Sequence, residues 1–338
     1  MRFDFTEEQY ALRDGAREFF AGECTPADVR AAWEHETGVD ASRWKQMAET
    51  GFIGLTTPEE HGGLGLSAVD LVLLLEEAGA AALPEPLLET AGIVAPVLAA
   101  HADGEVQQAW LPALAAGEVV ATVALERTHD GRWFAPAGHV ASLVLVVDGD
   151  AVHAVGADRV RAQAQPSVDR GRRVATLTVE TAPTTQVGGA DAAADARDRA
   201  AAGAAAVLGG VSRRLVAMTV DYVVERVQFG RPVGSFQAVK HQLAEAHLDV
   251  ETARPAAWYA AYAIAAGLDD RTRAASVAKS AASDAASTAN HAALQCHGGI
   301  GFTWEHDLHL WLKRAGALER SYGTAAAHRA RLAGELLD

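Results

Sequence analysis

Three short stretches hold the residues best suited to chemistry. Arg226-Val-Gln-Phe229-Gly230 runs on to Phe236-Gln237, Gln295-Cys-His-Gly298-Gly299 follows, and Ser321-Tyr322-Gly323-Thr324 lies near the C-terminus. Arginine presents a planar fork that grips phosphate oxygens two at a time. Phe229 offers an apolar face to a ring. Gly298 and Gly299 let backbone N–H groups approach an anion with no Cβ in the way. Gln237 and Gln295 can hydrogen-bond polar edges. Together these types suit a cofactor that carries both a ring and phosphates. Each also has a plainer reading. Arg226 complements the dipole at a helix C-terminus, the glycines turn the chain between helices, and Phe229 and Phe236 fill a core.

Other chemistries find less support. His306 and His309 are spaced as a helical metal pair, but no third ligand accompanies them. Cys296 reads as a small core residue, and with Cys24 it makes too few cysteines for a disulfide framework. No phosphate-binding loop or dinucleotide fingerprint follows a strand.

The elements that must position these residues fall into three zones. Up to about residue 115 the apolar spacing is helical, over Glu7–Phe20, Trp44–Phe52, Asp70–Gly79, Leu87–Ala100 and Glu105–Leu114. Glu76 and Glu77 read as an acidic outer face. Residues 116–188 change to short β-branched runs, Val119–Leu125, Leu143–Val147, Ala151–Val155 and Val174–Val179. A segment this short predicts a trimmed antiparallel sheet rather than an eight-stranded barrel. Residues 189–338 are alanine-rich and helical; Val216, Val220, Val223 and Val227 mark one apolar face, and Val239, Leu243, Ala246 and Val250 another. The order is helical bundle, small β-domain, helical bundle.

Composition narrows the field. The 338 residues are 49% hydrophobic and 22% charged, as in a soluble globular protein. A formal charge of −15 argues against nucleic acid as a partner. No apolar run approaches a membrane span, and the opening Met-Arg-Phe-Asp lacks a secretory signal, so a cytoplasmic location is expected.

This order and these motifs resemble the acyl-CoA dehydrogenase family. Phe5-Thr-Glu-Glu-Gln9, Pro58-Glu-Glu-His-Gly62-Gly63-Leu-Gly65, Glu76-Glu77-Ala-Gly79 and Leu111-Pro112 follow its N-terminal pattern. Arg226-Val-Gln-Phe229-Gly230, Gln295 through Phe302, and Tyr322-Gly323-Thr324 appear downstream in the family's order. The resemblance implies an α+β fold with an N-terminal helical bundle, a middle β-domain and a C-terminal four-helix bundle. It also implies FAD as cofactor, α,β-dehydrogenation of an acyl-CoA, and electron-transfer flavoprotein as a candidate redox partner. Arg226, Phe229, Gln237, Gln295, Gly298, Gly299 and Thr324 become the implied cofactor contacts, reaching the flavin of a neighbouring subunit.

The pattern breaks where the chemistry should occur. The family's usual base is a glutamate directly before the Gly-Thr pair, and here Tyr322 stands there. A phenol, with a reference pKa of about 10, is a poor base at neutral pH. A minority of the family places its glutamate on the helix before the arginine motif. Counting back from Phe229 reaches Ala200, with Asp198 two residues away, and Asp198 itself reads as a solvated residue. The flavin-lining run of the middle domain is reduced to Ala124-Leu-Glu126-Arg-Thr-His-Asp130. Three assemblies are compatible: a subunit of a hetero-oligomer whose homologous partner brings the base, a homo-oligomeric flavoenzyme with a displaced base or oxidase-like chemistry, or a flavin-free scaffold subunit.

Overall fold

The computed structural model describes residues 4–182 and 185–337. Six helices come first: α1 (Glu7–Glu23), α2 (Pro26–Glu34), α3 (Ala41–Glu49), α4 (Ala68–Ala80), α5 (Ala95–His101) and α6 (Gly104–Ala115). Thr6, Thr25 and Ser67 close capping boxes at the starts of α1, α2 and α4. A π-type stretch, Leu88–Val94, runs directly into α5.

The middle segment forms eight strands among the described residues, more than the trimmed sheet expected from its length. They are β1 (Ala121–Ala124), β2 (Glu126–Arg127), β3 (Trp133–Pro136), β4 (Leu143–Asp148), β5 (Ala151–Gly156), β6 (Val160–Gln165), β7 (Val174–Val179) and β8 (Gln186–Gly188). Two four-stranded sheets result, ordered β1-β4-β5-β8 and β2-β3-β7-β6. The β1–β4 pairing is parallel, not antiparallel as expected; the other pairings in these two sheets are antiparallel. The strands fit because they are short, two to six residues each. The missed β6 reads Val-Arg-Ala-Gln-Ala-Gln and is largely exposed, so it carries no apolar signal. Inner faces of both sheets share a small core around Trp133, Val144, Val146 and Leu177.

Then follow α7 (Ala190–Glu225), the hairpin β9 (Val227–Gln228) and β10 (Arg231–Pro232), α8 (Gln237–Ala265), α9 (Arg271–His297), α10 (Leu308–Leu318) and α11 (Ala325–Leu337). Alanines pave the facing sides of α7, α8 and α9, so these helices pack closely, and α4 lies against α7 and α8. One core runs through both helical regions and under β1 and β4. Within α7 an 18-residue window reaches mean hydropathy 1.2, with 78% of it buried in this core.

Two surface expectations are overturned. Glu76 and Glu77 are buried: Glu76 accepts from Arg254 Nη2 at 3.0 Å and Trp258 Nε1 at 2.6 Å, and Glu77 from Arg213 Nη2 at 2.8 Å and Arg17 Nη2 at 2.9 Å. The seam between α4 and the long helices converts an apparent acidic face into ion-paired glue. Conversely, Val220 and Val227 are exposed, although Val216 and Val223 are buried.

Candidate functional site

The residues around Tyr322 come from all three regions. Arg172 lies on the loop between β6 and β7, Glu89 on the π-type stretch, and Tyr322 on the turn between α10 and α11. The Tyr322 hydroxyl donates to Glu89 Oε1 at 2.6 Å. Arg172 Nη2 donates to the same Oε1 at 2.9 Å and to the Tyr322 hydroxyl oxygen at 3.1 Å, while Nη1 reaches Ser321 Oγ at 3.0 Å. Glu89 is buried, and Arg172 keeps only a sliver of exposure. Burial, then the Glu89 charge, pushes the phenol pKa well above its ordinary value, against the opposing pull of Arg172. Tyr322 is thus a protonated donor whose proton is already committed.

The turn that carries Tyr322 is held from both sides. Tyr322 has φ +59° and Gly323 φ +91°. A Cβ at Gly323 would sit 2.7 Å from His328 Nε2, and that imidazole contacts the Tyr322 carbonyl oxygen at 2.9 Å. Fully buried Lys279 on α9 donates to the carbonyls of Glu319 (3.0 Å) and Gly323 (2.9 Å) and to Ser283 Oγ (3.0 Å). All three ammonium protons have acceptors, none of them a carboxylate. Burial pulls its pKa down to about 8.

Tyr322 also borders open space. A cleft of about 640 Å³ lies between the β-domain and α10, walled by Leu125, Phe134, Arg172, Gly316, Ala317 and Tyr322. Arg127, Lys313 and Arg320 add positive charge to it. A second hollow of about 270 Å³ adjoins it at Leu125, Glu126 and Tyr322, with Arg197 and Arg331 opposite. Small residues on one helix, an aromatic ring facing them and cations around them fit a planar ring with a phosphate tail.

The arginine motif lies elsewhere. Tyr222, at the end of α7, stacks on His297, at the end of α9, with ring centroids 4.4 Å apart. Arg226 follows Tyr222 by four residues, and Gln295, Gly298 and Gly299 flank His297 in the sequence. Phe229 and Gly230 form the two-residue tip of the β9–β10 hairpin, both left-handed at φ +53° and +76°. Phe229 is 92% exposed at this strained position. Arg226, Gln237 and Gln295 are exposed as well. Gly298 ends α9 at φ +61°, whereas a Cβ on Gly299 would meet nothing within 4 Å, so no packing within the chain demands a glycine there.

The predicted cofactor set therefore splits in two. Thr324 belongs with Tyr322, and its Oγ1 accepts the Ala327 N–H at the start of α11. Its turn is held by Lys279, while Gly298 follows His297 at the far end of α9. The eighteen steps of helix from Lys279 to His297 amount to about 27 Å. Asp198 is buried, not solvated: Oδ2 accepts from Thr272 Oγ1 at 2.8 Å and pairs with Arg271 Nε at 3.4 Å, and burial raises its pKa. It lines neither cavity beside Tyr322. Among the described residues no group of three or more His, Cys, Asp or Glu is placed to hold a metal.

Sequence reasoning missed Glu89, Arg172 and Lys279. Glu89 and Lys279 each interrupt an otherwise apolar or small-residue run, which was a usable signal. Nothing in the run Asp169-Arg-Gly-Arg172-Arg173 separates Arg172 from its neighbours.

Residues 6–118 match the family described as acyl-CoA dehydrogenase, N-terminal domain, and residues 188–337 match acyl-CoA dehydrogenase, C-terminal domain. The chain is 35% identical over 332 residues to acyl-CoA dehydrogenase IpdE2 of Mycolicibacterium smegmatis, covering 98% of this chain and 99% of the relative. The ChsE4–ChsE5 complex of Mycobacterium tuberculosis contains a similar chain, with TM-score 0.93, 27% identity, and coverage of 100% of this chain and 99% of that one. A variant of the Tcur3481–Tcur3483 steroid ACAD superimposes with TM-score 0.89 and 31% identity, covering 98% of each chain.

Proposed function

Because this chain belongs to the acyl-CoA dehydrogenase family, oxidoreductases acting on CH–CH groups, we propose that it serves as the baseless, flavin-holding subunit of a hetero-oligomeric dehydrogenase. The reaction is α,β-dehydrogenation of an acyl-CoA thioester, with a homologous subunit supplying the proton acceptor. The observation that carries this reading is the Tyr322 hydroxyl donating to Glu89 at 2.6 Å. A base must offer a free lone pair near neutral pH. This phenol is protonated, and its oxygen already accepts from Arg172.

The split cofactor set supports the same assembly. Arg226, Phe229, Gln237, Gln295, Gly298 and Gly299 face outward and are suited to the phosphate end of a flavin seated in the partner subunit. Glu126, Arg127, Phe134, Lys313 and Gly316 would hold the ring end of a flavin in this chain's own cleft. Bound FAD supplies the hydride acceptor for the β-carbon. The chain's residues orient it, keep water from its ring, and hold their protons. Val224, Val227, Phe229 and Phe302 are exposed apolar side chains that the partner subunit would cover.

Two of the structures similar to this chain are complexes named for two different chains, and one is called a steroid ACAD. The substrate class we favour is accordingly a steroid-derived acyl-CoA. The test is to purify the chain alone and with a co-expressed homologous dehydrogenase subunit, then measure bound flavin and its bleaching by acyl-CoA. Bleaching is expected only in the pair. Stoichiometric FAD in the isolated chain with rapid bleaching would sink the proposal.

A further inference from the structure

A separate hollow of about 320 Å³ lies where α1, α4, α7 and α10 meet, and it shares no wall residue with the cleft or the smaller hollow beside Tyr322. Small residues leave the space: Ala21, Ala80 and Ala81 line it where longer side chains would fill the junction. Phe20 and Trp311 supply the larger apolar walls. The Trp311 Nε1–H is spent on the Ala80 carbonyl at 2.8 Å, so the indole offers an occupant only its ring. The Cys24 thiol in the same wall donates to the Ala81 carbonyl at 3.7 Å, and burial pushes its pKa up to about 12, so it adds no charge. The charged residues lining the hollow are Arg17, Glu77 and Arg214. Glu77 is already matched twice, by Arg17 Nη2 at 2.9 Å and Arg213 Nη2 at 2.8 Å. Arg214 is exposed, and among the described residues its side chain makes no hydrogen bond or ion pair. Its Cζ lies 5.3 Å from the Trp311 ring centroid. A guanidinium without an anion thus stands at an apolar hollow, in a chain whose formal charge is −15.

We infer that this hollow is a second binding site, for a small aryl-alkanoic acid whose carboxylate pairs with Arg214 and whose ring packs against Phe20 and Trp311. The cation sets the charge of the ligand. One unpaired fork matches one carboxylate, whereas a polyphosphate would need further donors that the walls do not offer. The size sets its bulk, because the volume is at the small end of the range for small-molecule pockets. The walls set its shape, because aromatic rings gain most from another ring placed edge-on or offset against them. The site also has a route to the rest of the subunit. Trp311 faces this hollow, while Leu312, Lys313, Gly316 and Ala317 of the same helix wall the cleft.

The experiment is ligand-observed NMR titration of the full-length chain with hydrocinnamate, its neutral counterpart hydrocinnamyl alcohol, and acetate. Hydrocinnamate is expected to bind at about 1 mM or tighter. The alcohol lacks the charge-assisted contact and acetate lacks the ring, so each is expected to bind about tenfold or more weakly. Arg214→Gln changes an exposed side chain and is expected to cut hydrocinnamate affinity about tenfold while leaving the alcohol unaffected. Ala21→Trp, also at an exposed position, fills the hollow and is expected to abolish binding of both. Neither residue lines the cleft, so these losses locate the acid in the hollow and are independent of flavin content. Thermal melting confirms that each variant is folded, and should Ala21→Trp not fold, Arg214→Gln decides. The inference is overturned by no hydrocinnamate binding up to about 10 mM. Equal affinity for the acid and either control overturns it too, as does a folded Arg214→Gln variant with wild-type affinity.

Discussion

Tyr322 donates its hydroxyl proton to Glu89, 233 positions away, at 2.6 Å, with Arg172 against both oxygens. The position directly before Gly323-Thr324 is thereby a structural contact between two helical regions. Tyr322→Phe should lower unfolding free energy by about 1–3 kcal/mol, the range for a buried hydrogen bond to a charged acceptor. It should leave flavin content and the activity of the assembled pair unchanged. Urea denaturation and steady-state turnover of the pair check both halves.

Arg226 is exposed, and among the described residues its side chain makes no hydrogen bond or ion pair. Arg226→Ala should therefore leave the melting temperature of the isolated chain unchanged. In the assembled pair it should weaken flavin retention by about 1.5–3 kcal/mol, the worth of a charge-assisted hydrogen bond. Flavin release during dialysis measures this, and undiminished occupancy would remove Arg226 from the cofactor site.

Phe229 holds a left-handed backbone at a tip where its ring is 92% exposed. Phe229→Gly relieves that strain and should stabilise the isolated chain by about 0.5–1 kcal/mol. The same change should weaken assembly with the partner, seen by analytical ultracentrifugation. A variant that is both more stable and equally able to assemble would show that the tip serves neither partner nor cofactor.

Lys279 predicts a pH dependence of unusual sign. Its folded pKa is about 8, below its ordinary value of 10.5. Between these values the unfolded chain binds more protons than the folded one, so this group's contribution to stability rises with pH. Lys279→Met should abolish the rise. Denaturant midpoints measured from pH 7.5 to 10 for both proteins test it.

Glu76 should be among the costliest single sites. Glu76→Ala leaves the Arg254 guanidinium, 17% exposed, without its buried partner and should cost about 3–5 kcal/mol. Glu76→Leu with Arg254→Met should recover most of that loss, as chemical denaturation of both variants would show.

Residue order alone determined the family and the succession of helical, β and helical segments, and it set Tyr322 directly before Gly323-Thr324. These are local properties: apolar period, β-branching, and motif residues in register. The tertiary structure decided what those residues do. Glu76 and Glu77 look like a solvated face in a linear reading, because their arginine partners lie far along the chain; Asp198 reads the same way, though its partners Arg271 and Thr272 bury it. The seven cofactor candidates look like one set until the length of α9 separates Thr324 from Gly298. The cluster of Arg172, Glu89 and Tyr322 is the clearest case. Arg172 does not stand out from its neighbours in the sequence, and only the meeting of three regions at one buried point gives Arg172 and Glu89 their hold on Tyr322.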